Sequence, residues 1–218
     1  MVISPLNYKI DNGIAINNLS LKLDRPINHL WGPNGIGKTT LLKQVVKYCQ
    51  QNKIDFAYMD QNYRSTWLWW KSIKKNLELA IQTKYPGSQL DNLSSYTNQQ
   101  SWFGPLINKS RSQFDFSKNN EINSVELSGG QLQRLVLFRE LLLKPKILLL
   151  DEAFSALDIE VVEELITWLL KEQSEMGFII LNICHDKRIL KLMNGAVLLI
   201  SNENQELKIT ETSYAKMA

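Results

Sequence analysis

Short segments of alternating hydrophobic and polar residues dominate the first thirty positions of the chain. Residues 14–16 and 19–23 carry apolar side chains at every second position, which is the period of a half-buried strand. Asp11-Asn12-Gly13 lies just ahead of them and has the composition of a tight hairpin turn. The pattern therefore predicts a small antiparallel β layer at the start of the chain.

Farther along the chain, strand-like runs alternate with helical repeats. Residues 146–150 and 178–183 are mainly apolar, which is typical of strands buried on both faces of a parallel sheet. Residues 55–59 predict another strand, and 196–200 and 206–209 predict strands at a sheet edge. Apolar residues recur at helical spacing in four segments: 40–46, 71–82, 130–143 and 159–173. This order indicates an α/β fold.

The composition and patterning of the sequence change between about residues 65 and 126. Residues 86–123 are rich in Ser, Asn and Gln, and Gly-Pro stands at 104–105. We interpret about 65–126 as a mainly helical, loop-rich subdomain inserted in the α/β core of one domain spanning 1–218.

Residues 32–39, with the sequence G-P-N-G-I-G-K-T, match the phosphate-loop pattern G-x-x-x-x-G-K-[ST]. An apolar lead-in precedes the match and a helical repeat follows it, so the loop opens onto a helix N-terminus that favours anions. In this pattern Lys38 reaches the β- and γ-phosphates and the Thr39 hydroxyl binds Mg²⁺. A glycine-rich turn that matches by chance is the alternative.

A second candidate element is the acidic pair Asp151-Glu152 at the end of the apolar run 147–150. Open parallel sheets bind ligands at the carboxyl ends of their strands. Asp151 is suited to hold Mg²⁺, and Glu152 to orient and deprotonate an attacking water. Alone, the pair could also be an acidic turn that caps the next helix.

Leu127-Ser128-Gly129-Gly130-Gln131 precedes the acidic pair by about twenty residues. Together with the phosphate loop, this pentapeptide resembles the ATP-binding-cassette (ABC) ATPases. Gln61 matches that family's Q-loop, Ser155-Ala156-Leu157-Asp158 its D-loop, and His185 its switch histidine. The resemblance extends from about residue 8 to 200 and implies a P-loop NTPase core of ABC type with an antiparallel β subdomain and an inserted helical subdomain.

The resemblance implies a role for each matching residue. Two cassettes pair head to tail around two ATP molecules, and the helix start at 128–131 of one faces the phosphate loop of the other. Glu152 is the general base, with His185, Lys38 and Gln61 as the other catalytic residues, and Thr39, Gln61 and Asp151 surround Mg²⁺. The implied nucleotide-binding residues are Tyr8, Gly32, Pro33, Asn34, Gly35, Ile36, Gly37, Lys38, Thr39, Thr40, Ser128, Gly129, Gly130, Gln131 and Asp158. Tyr8 would stack on adenine; packing on the sheet is its alternative.

The resemblance also implies partners. The leading hypothesis is the ATP-hydrolysing subunit of a transporter. We expect it to pair with a second, identical cassette, to attach to separate integral-membrane subunits and to be served by a substrate-binding protein. Trp67, Trp69 and Trp70 cluster where the family receives a membrane subunit, so they are expected either to dock it or to fill the helical subdomain. The sequence segments around Trp70 and Phe154 are similar to those of ATPases that import nitrate, sulfonates or taurine.

Bulk properties agree with this hypothesis without deciding it. The 218 residues are 44% hydrophobic and 22% charged, which is ordinary globular composition. The net charge of +3 is too small to favour nucleic acid as a partner. No secretory signal, C-terminal regulatory domain or apolar run of about 20 residues is expected, and two distant cysteines suit a reducing compartment. We therefore expect a cytoplasmic protein, peripheral to the cell membrane through its partners.

Two other function classes stay open from the sequence. One is a cassette protein outside transport, acting in DNA repair, translation or Fe–S assembly; the length leaves no room for the coiled coil or second cassette of the first two. The other is a nucleotide-binding switch without turnover. Neither the cargo nor the direction of transport follows from the sequence.

Overall fold

The computed structural model describes residues 1–10, 15–84, 127–155, 157–203 and 206–212. The chain divides into two compact units. Met1–Gln61 and Lys144–Ala218 form the first, and Asn62–Leu143 forms the second. The predicted turn at 11–13 and the loop-rich stretch 86–123 lie outside the described residues.

A six-stranded sheet organises the first unit. Its strands are β3 (Ile27–Trp31), β4 (Phe56–Met59), β5 (Ile147–Asp151), β6 (Ile179–Ile183), β7 (Ala196–Glu203) and β8 (Glu206–Thr212). Their order is β4-β5-β6-β3-β7-β8, and every neighbouring pair is parallel except β7 and β8. All five residues of β5 are buried, as its continuous apolar run predicts.

The predicted antiparallel layer is formed by β1 (Val2–Lys9) and β2 (Ala15–Lys22). The described residues of the first unit also form the helices α1 (Lys38–Gln51), α4 (Ile159–Met176) and α5 (Lys187–Met193). Leu41, Leu42, Val45 and Cys49 on α1 are fully buried at helical spacing, and they join β1, β2 and the larger sheet in one core.

The second unit contains a short 3₁₀ helix (Tyr63–Thr66), α2 (Ile73–Lys84) and α3 (Gly129–Leu142). Both α2 and the 3₁₀ helix pack on α3. The Arg139 guanidinium on α3 donates to the Thr66 carbonyl at 2.7 Å and lies 5.8 Å from the centre of the Trp67 ring. This packing explains why the unit extends past the predicted insertion at 65–126.

One prediction about the end of the chain is corrected, and one helix there was not predicted. β7 is not an edge strand, because β3 and β8 pair with its two sides, and Val197, Leu198 and Ile200 are buried. The pattern did not predict α5, although Asp186 caps it by accepting from the Arg188 amide at 2.8 Å. Among the described residues, no helix is both long and apolar enough to cross a bilayer.

Candidate functional site

The phosphate loop connects the end of β3 to the start of α1. Gly35 and Gly37 adopt φ angles of 74° and 95°, a conformation that residues with a Cβ rarely take. A Cβ on Gly37 would stand 2.5 Å from Cγ2 of Ile10, so both backbone angle and space require glycine. Gly37 caps α1 without a side chain, and the first turn of α1 has no acidic residue. The free N–H groups of this turn therefore suit an anion.

Lys38 lies inside the loop with its charge directed at the backbone. Its Nζ donates to the Gly32 carbonyl at 2.8 Å and to the Pro33 carbonyl at 2.9 Å, and the residue is buried. Burial lowers the pKa of the Lys38 ammonium, and the carboxylates of Glu152 and Asp151 act against that shift. The loop thus holds a partly desolvated positive charge where a phosphate would lie.

Asp151 ends β5 with its carboxylate fully buried. Thr39 Oγ1 donates to its Oδ1 at 3.2 Å, whereas Oδ2 has no hydrogen-bond partner in the described part of the chain. Burial raises the pKa of the Asp151 carboxyl, against the Thr39 hydrogen bond. A buried, unpaired carboxylate oxygen beside a hydroxyl is a donor set that Mg²⁺ prefers.

No cluster of three or more His, Cys, Asp or Glu side chains suited to a metal occurs among the described residues. Mg²⁺ commonly uses one or two carboxylates and completes its octahedral shell with phosphate oxygens and water. Thr39 and Asp151 therefore fit Mg²⁺ bound together with a nucleotide. They do not form a cage that would hold a metal alone.

Glu152 follows β5 and is held from two sides. Gln61 Nε2 donates to its Oε2 at 3.0 Å, and His185 Nε2 lies 3.1 Å from its Oε1. Its backbone has a φ of 52°, an uncommon value for a side-chain-bearing residue, and its N–H donates to the Ile183 carbonyl at 3.0 Å. Glu152 thus has a strained backbone, and its carboxylate is held between the amide of Gln61 and the imidazole of His185.

Three of the four predicted catalytic residues line one cavity of about 310 Å³, and the fourth, Gln61, contacts it through Glu152. Lys38, Thr39, Glu152 and His185 line it together with loop residues. The His185 side chain is 40% exposed, and its ring centre lies 6.3 Å from that of Trp31. A carboxylate, an imidazole, an ammonium and free backbone N–H groups therefore face the same space, which suits chemistry on a phosphate ester.

The segment 128–131 begins α3 in the second unit. Ser128 Oγ accepts from the Gln131 N–H at 3.2 Å, and Gln131 Oε1 accepts from the Ser128 N–H at 2.9 Å, which is a complete capping box. Tyr63 donates to the Gly129 carbonyl at 3.3 Å. The box fixes the helix start while Ser128 stays exposed, so this end of α3 is rigid and accessible.

The structure argues against adenine stacking by Tyr8. The side chain is 9% exposed, belongs to the hydrophobic core and makes no hydrogen bond through its hydroxyl to the described residues. Burial raises its pKa to about 12. Alternation along β1 turns Leu6 and Tyr8 to the same buried face, where Tyr8 joins the core. This burial favours the alternative, packing on the sheet, over adenine stacking.

The remaining predicted residues occupy three kinds of position. Asp158 is exposed at the N-cap of α4 and makes no side-chain capping bond. Trp67 is buried in the second unit, whereas Trp70 is 75% exposed. Tyr58 and Asp60, which hydrogen-bond to each other beside the site, were not predicted, although the alternation in 55–59 could have indicated their common face.

Three comparisons with known proteins bear on this arrangement. The ABC transporter family profile matches residues 16–155. The spermidine/putrescine import ATP-binding protein PotA of Borreliella afzelii is 28% identical over 93% of this chain and 60% of its own length. The sulfate/thiosulfate import ATP-binding protein CysA of Mannheimia succiniciproducens is 27% identical over 92% of this chain and 60% of its own. The chain thus spans about 60% of these relatives.

A solved structure shows the same fold. The dimeric, post-hydrolysis ATP-binding cassette MJ0796, bound to ADP and phosphate, superimposes with a TM-score of 0.71. It is 19% identical, and the match covers 98% of this chain and 99% of that one. The fold is therefore that of an ABC cassette, as the motifs predict.

Proposed function

Because the chain belongs to the ABC transporter family, we propose that it binds MgATP and hydrolyses it as the ATP-driven subunit of a transporter. The observation that carries this proposal is the Glu152 carboxylate, held between Gln61 and His185 at the cavity beside the phosphate loop. A nucleotide-binding switch without turnover would not need a carboxylate held in this way at a cost in backbone strain.

Binding begins at the phosphate loop. The N–H groups at the start of α1 donate hydrogen bonds to the phosphates, and Lys38 turns from the Gly32 and Pro33 carbonyls to the β- and γ-oxygens. Thr39, Asp151 and Gln61 would hold Mg²⁺, which supplies positive charge against the triphosphate. The desolvation of Lys38 strengthens its attraction to an incoming anion, because little water screens it.

Hydrolysis then requires a water in line with the bond between the β- and γ-phosphates. Glu152 accepts one proton from this water as the oxygen attacks the γ-phosphorus and the bond to the β-phosphate oxygen breaks. His185 Nε2 and Gln61 Nε2 keep the Glu152 carboxylate in position. The imidazole of His185 also lines the cavity, where it would contact the γ-phosphate of a bound nucleotide.

The second half of the site comes from a partner cassette. Ser128 and the open N–H groups of Gly129 and Gly130 present a helix N-terminus that suits the γ-phosphate of ATP bound to the other subunit. Two identical chains related by a twofold axis would each give one half-site to the other. The active unit is then a homodimer with two composite sites.

Mixing two inactive variants tests the composite site. Lys38→Ala abolishes phosphate binding in cis, and Ser128→Arg blocks the half-site offered in trans, so each variant alone should be inactive. A mixed dimer has one intact site, and an equimolar mixture should recover roughly a quarter of wild-type activity from random pairing. The measurement is phosphate release by each variant and by the mixture.

Failure of the mixture to exceed the separate variants, while size-exclusion chromatography shows that they pair, would exclude the trans arrangement. The matched control mixes the Lys38→Ala variant with a Lys144→Ala variant, because Lys144 is an exposed lysine two residues past the end of α3. That mixture should keep activity, since the Lys144 variant carries both half-sites intact.

The proposed membrane attachment centres on Trp70. The ring is 75% exposed, and the turn that carries it is held by Asn76, which donates to the Leu68 carbonyl at 3.0 Å and accepts from the Leu68 N–H at 2.9 Å. A rigidly held, exposed tryptophan is typical of binding hot spots. The partner is an integral-membrane transporter subunit, which places the protein at the cytoplasmic side of the membrane, and a substrate-binding protein would complete an importer.

Trp70→Ala should separate docking from catalysis. Loss of a hot-spot side chain costs about 2 kcal/mol or more, so recovery of the chain with co-expressed membrane proteins encoded beside it should fall at least tenfold. ATP hydrolysis by the isolated chain should stay unchanged. The control is Leu192→Ala, an exposed apolar side chain on α5 in the other unit. Equal recovery of both variants would contradict the docking role.

A further inference from the structure

Two carboxylates lie side by side at the carboxyl ends of β4 and β5. The parallel register pairs Tyr58 with Leu149 and Met59 with Leu150, so Asp60 follows opposite Asp151. Alternation places Tyr58, Asp60 and Asp151 on one face of the sheet. Thr39 of α1 donates to Asp151 from that face, which makes it the face of the nucleotide site.

A phenol fixes the position of Asp60. The Tyr58 hydroxyl donates to Asp60 Oδ2 at 3.0 Å, and both side chains are half-buried. Burial is the main cause that raises the pKa of the Tyr58 hydroxyl, and the neighbouring carboxylates Asp60 and Asp151 raise it further. Tyr58 is therefore a neutral donor with a single proton, and it holds Asp60 without cancelling its charge.

Three carboxylates meet at this edge, because Asp60 lies opposite Asp151 across the strand pair and Glu152 follows Asp151 along the chain. Neighbouring carboxylates repel one another. Thr39 donates to one oxygen of Asp151, whereas Lys38 donates to loop carbonyls. Asp151 also keeps one buried oxygen without a hydrogen bond to the described residues. A divalent cation would relieve both the repulsion and the unpaired oxygen.

We propose that Asp60, held by Tyr58, is a positioning residue of the cation site. From outside the coordination shell, it raises the affinity of the site for a divalent cation and lowers the affinity for metal-free ATP. The inference rests on the proposed binding of MgATP. Thr39, Gln61 and Asp151 remain the direct ligands, and Asp60 adds a fixed negative charge next to Asp151. The same charge attracts a cation and repels the triphosphate.

Asp60→Asn gives the test, because it removes the charge and keeps the shape. Electron paramagnetic resonance measures the Mn²⁺ concentration that half-saturates the site in the presence of a β,γ-imido ATP analogue. The variant should need about tenfold more Mn²⁺ than wild type, the range seen for outer-shell partners. Affinity for the same analogue in EDTA, measured by calorimetry, should rise by about twofold or more since less negative charge opposes the phosphates. A weaker affinity for Mn²⁺ together with a stronger affinity for the metal-free analogue would show that Asp60 acts through its charge.

Asp55→Asn is the matched control, because it makes the same substitution just before the opposite end of β4. It should leave both affinities unchanged. Tyr58→Phe keeps both carboxylates but removes the hydrogen bond that holds Asp60, so it should raise the Mn²⁺ requirement about threefold, less than Asp60→Asn does. This second variant decides the question where Asp60→Asn fails to fold.

Two results would overturn the role of Asp60: an unchanged Mn²⁺ requirement in Asp60→Asn, or a fall in both affinities, which marks a merely structural residue. Failure of the wild-type chain to bind the analogue, with or without Mn²⁺, would refute the proposed function itself. The two failures are distinct, because only the first leaves nucleotide binding by the wild-type chain intact.

Discussion

Glu152→Gln should lower kcat for ATP hydrolysis by about 10²- to 10⁴-fold, the usual contribution of a general base. Glutamine keeps the size of the side chain and can still contact Gln61 and His185, which lie 3.0 and 3.1 Å from the carboxylate. It cannot accept a proton from water. Affinity for MgATP should therefore remain, and the measurement is phosphate release at saturating MgATP.

The same variant should trap the paired state. Because the nucleotide is not cleaved, the two half-sites stay joined across it, and size-exclusion chromatography with light scattering should show a dimer only with MgATP. Glu160→Gln, at an exposed glutamate in the first turn of α4, is the control and should hydrolyse at the wild-type rate. A kcat for Glu152→Gln within about tenfold of wild type would rule out Glu152 as the base.

Residues that do chemistry on phosphate were predictable because the chemistry restricts both residue type and spacing. Lys38 and Thr39 follow from the loop pattern alone, and the carboxyl end of a buried strand is where Asp151 and Glu152 were expected. The structure brings Thr39 to Asp151, and Gln61 and His185 to Glu152. The family membership expected from these motifs is confirmed.

Positions decided by three-dimensional packing were not predictable in the same way. An aromatic residue such as Tyr8 suits both a core and a stacking surface, and only the inner face of β1 decides between them. The apolar run of β7 matches an edge or an interior strand equally well until its neighbours are known. Sequence alternation also permits Tyr58 and Asp60 to share a face, but strand order makes Asp151 their neighbour.

A buried histidine should make the fold sensitive to acid. His29 on β3 is fully buried between β6 and β7, and its one hydrogen-bond partner among the described residues, Asn182, is uncharged and lies 3.3 Å from Nδ1. Its Nε2 has no such partner. Burial lowers the pKa of His29 to about 4, because nothing nearby offsets the loss of water around an imidazolium.

The pKa difference fixes the direction of the effect. An unfolded histidine titrates near 6.5, so between about pH 6.5 and 4 the unfolded chain binds a proton that the folded chain does not. The stabilisation is complete above pH 6.5 and is lost as the pH falls toward 4. From pH 7.5 to 5.0 His29 should lower the free energy of unfolding by about 2 kcal/mol.

His29→Gln separates this effect from general acid denaturation. Glutamine cannot be protonated in this range, so the loss between pH 7.5 and 5.0 should shrink by about 2 kcal/mol even where the variant is less stable at both values. Urea unfolding followed by circular dichroism measures both. The chain has two histidines, and His185→Gln at the exposed one is the control that should keep the loss. Equal pH dependence in wild type and His29→Gln would mean that His29 is protonated within the fold, which would require a solvated or charge-paired imidazole in place of the buried neutral one.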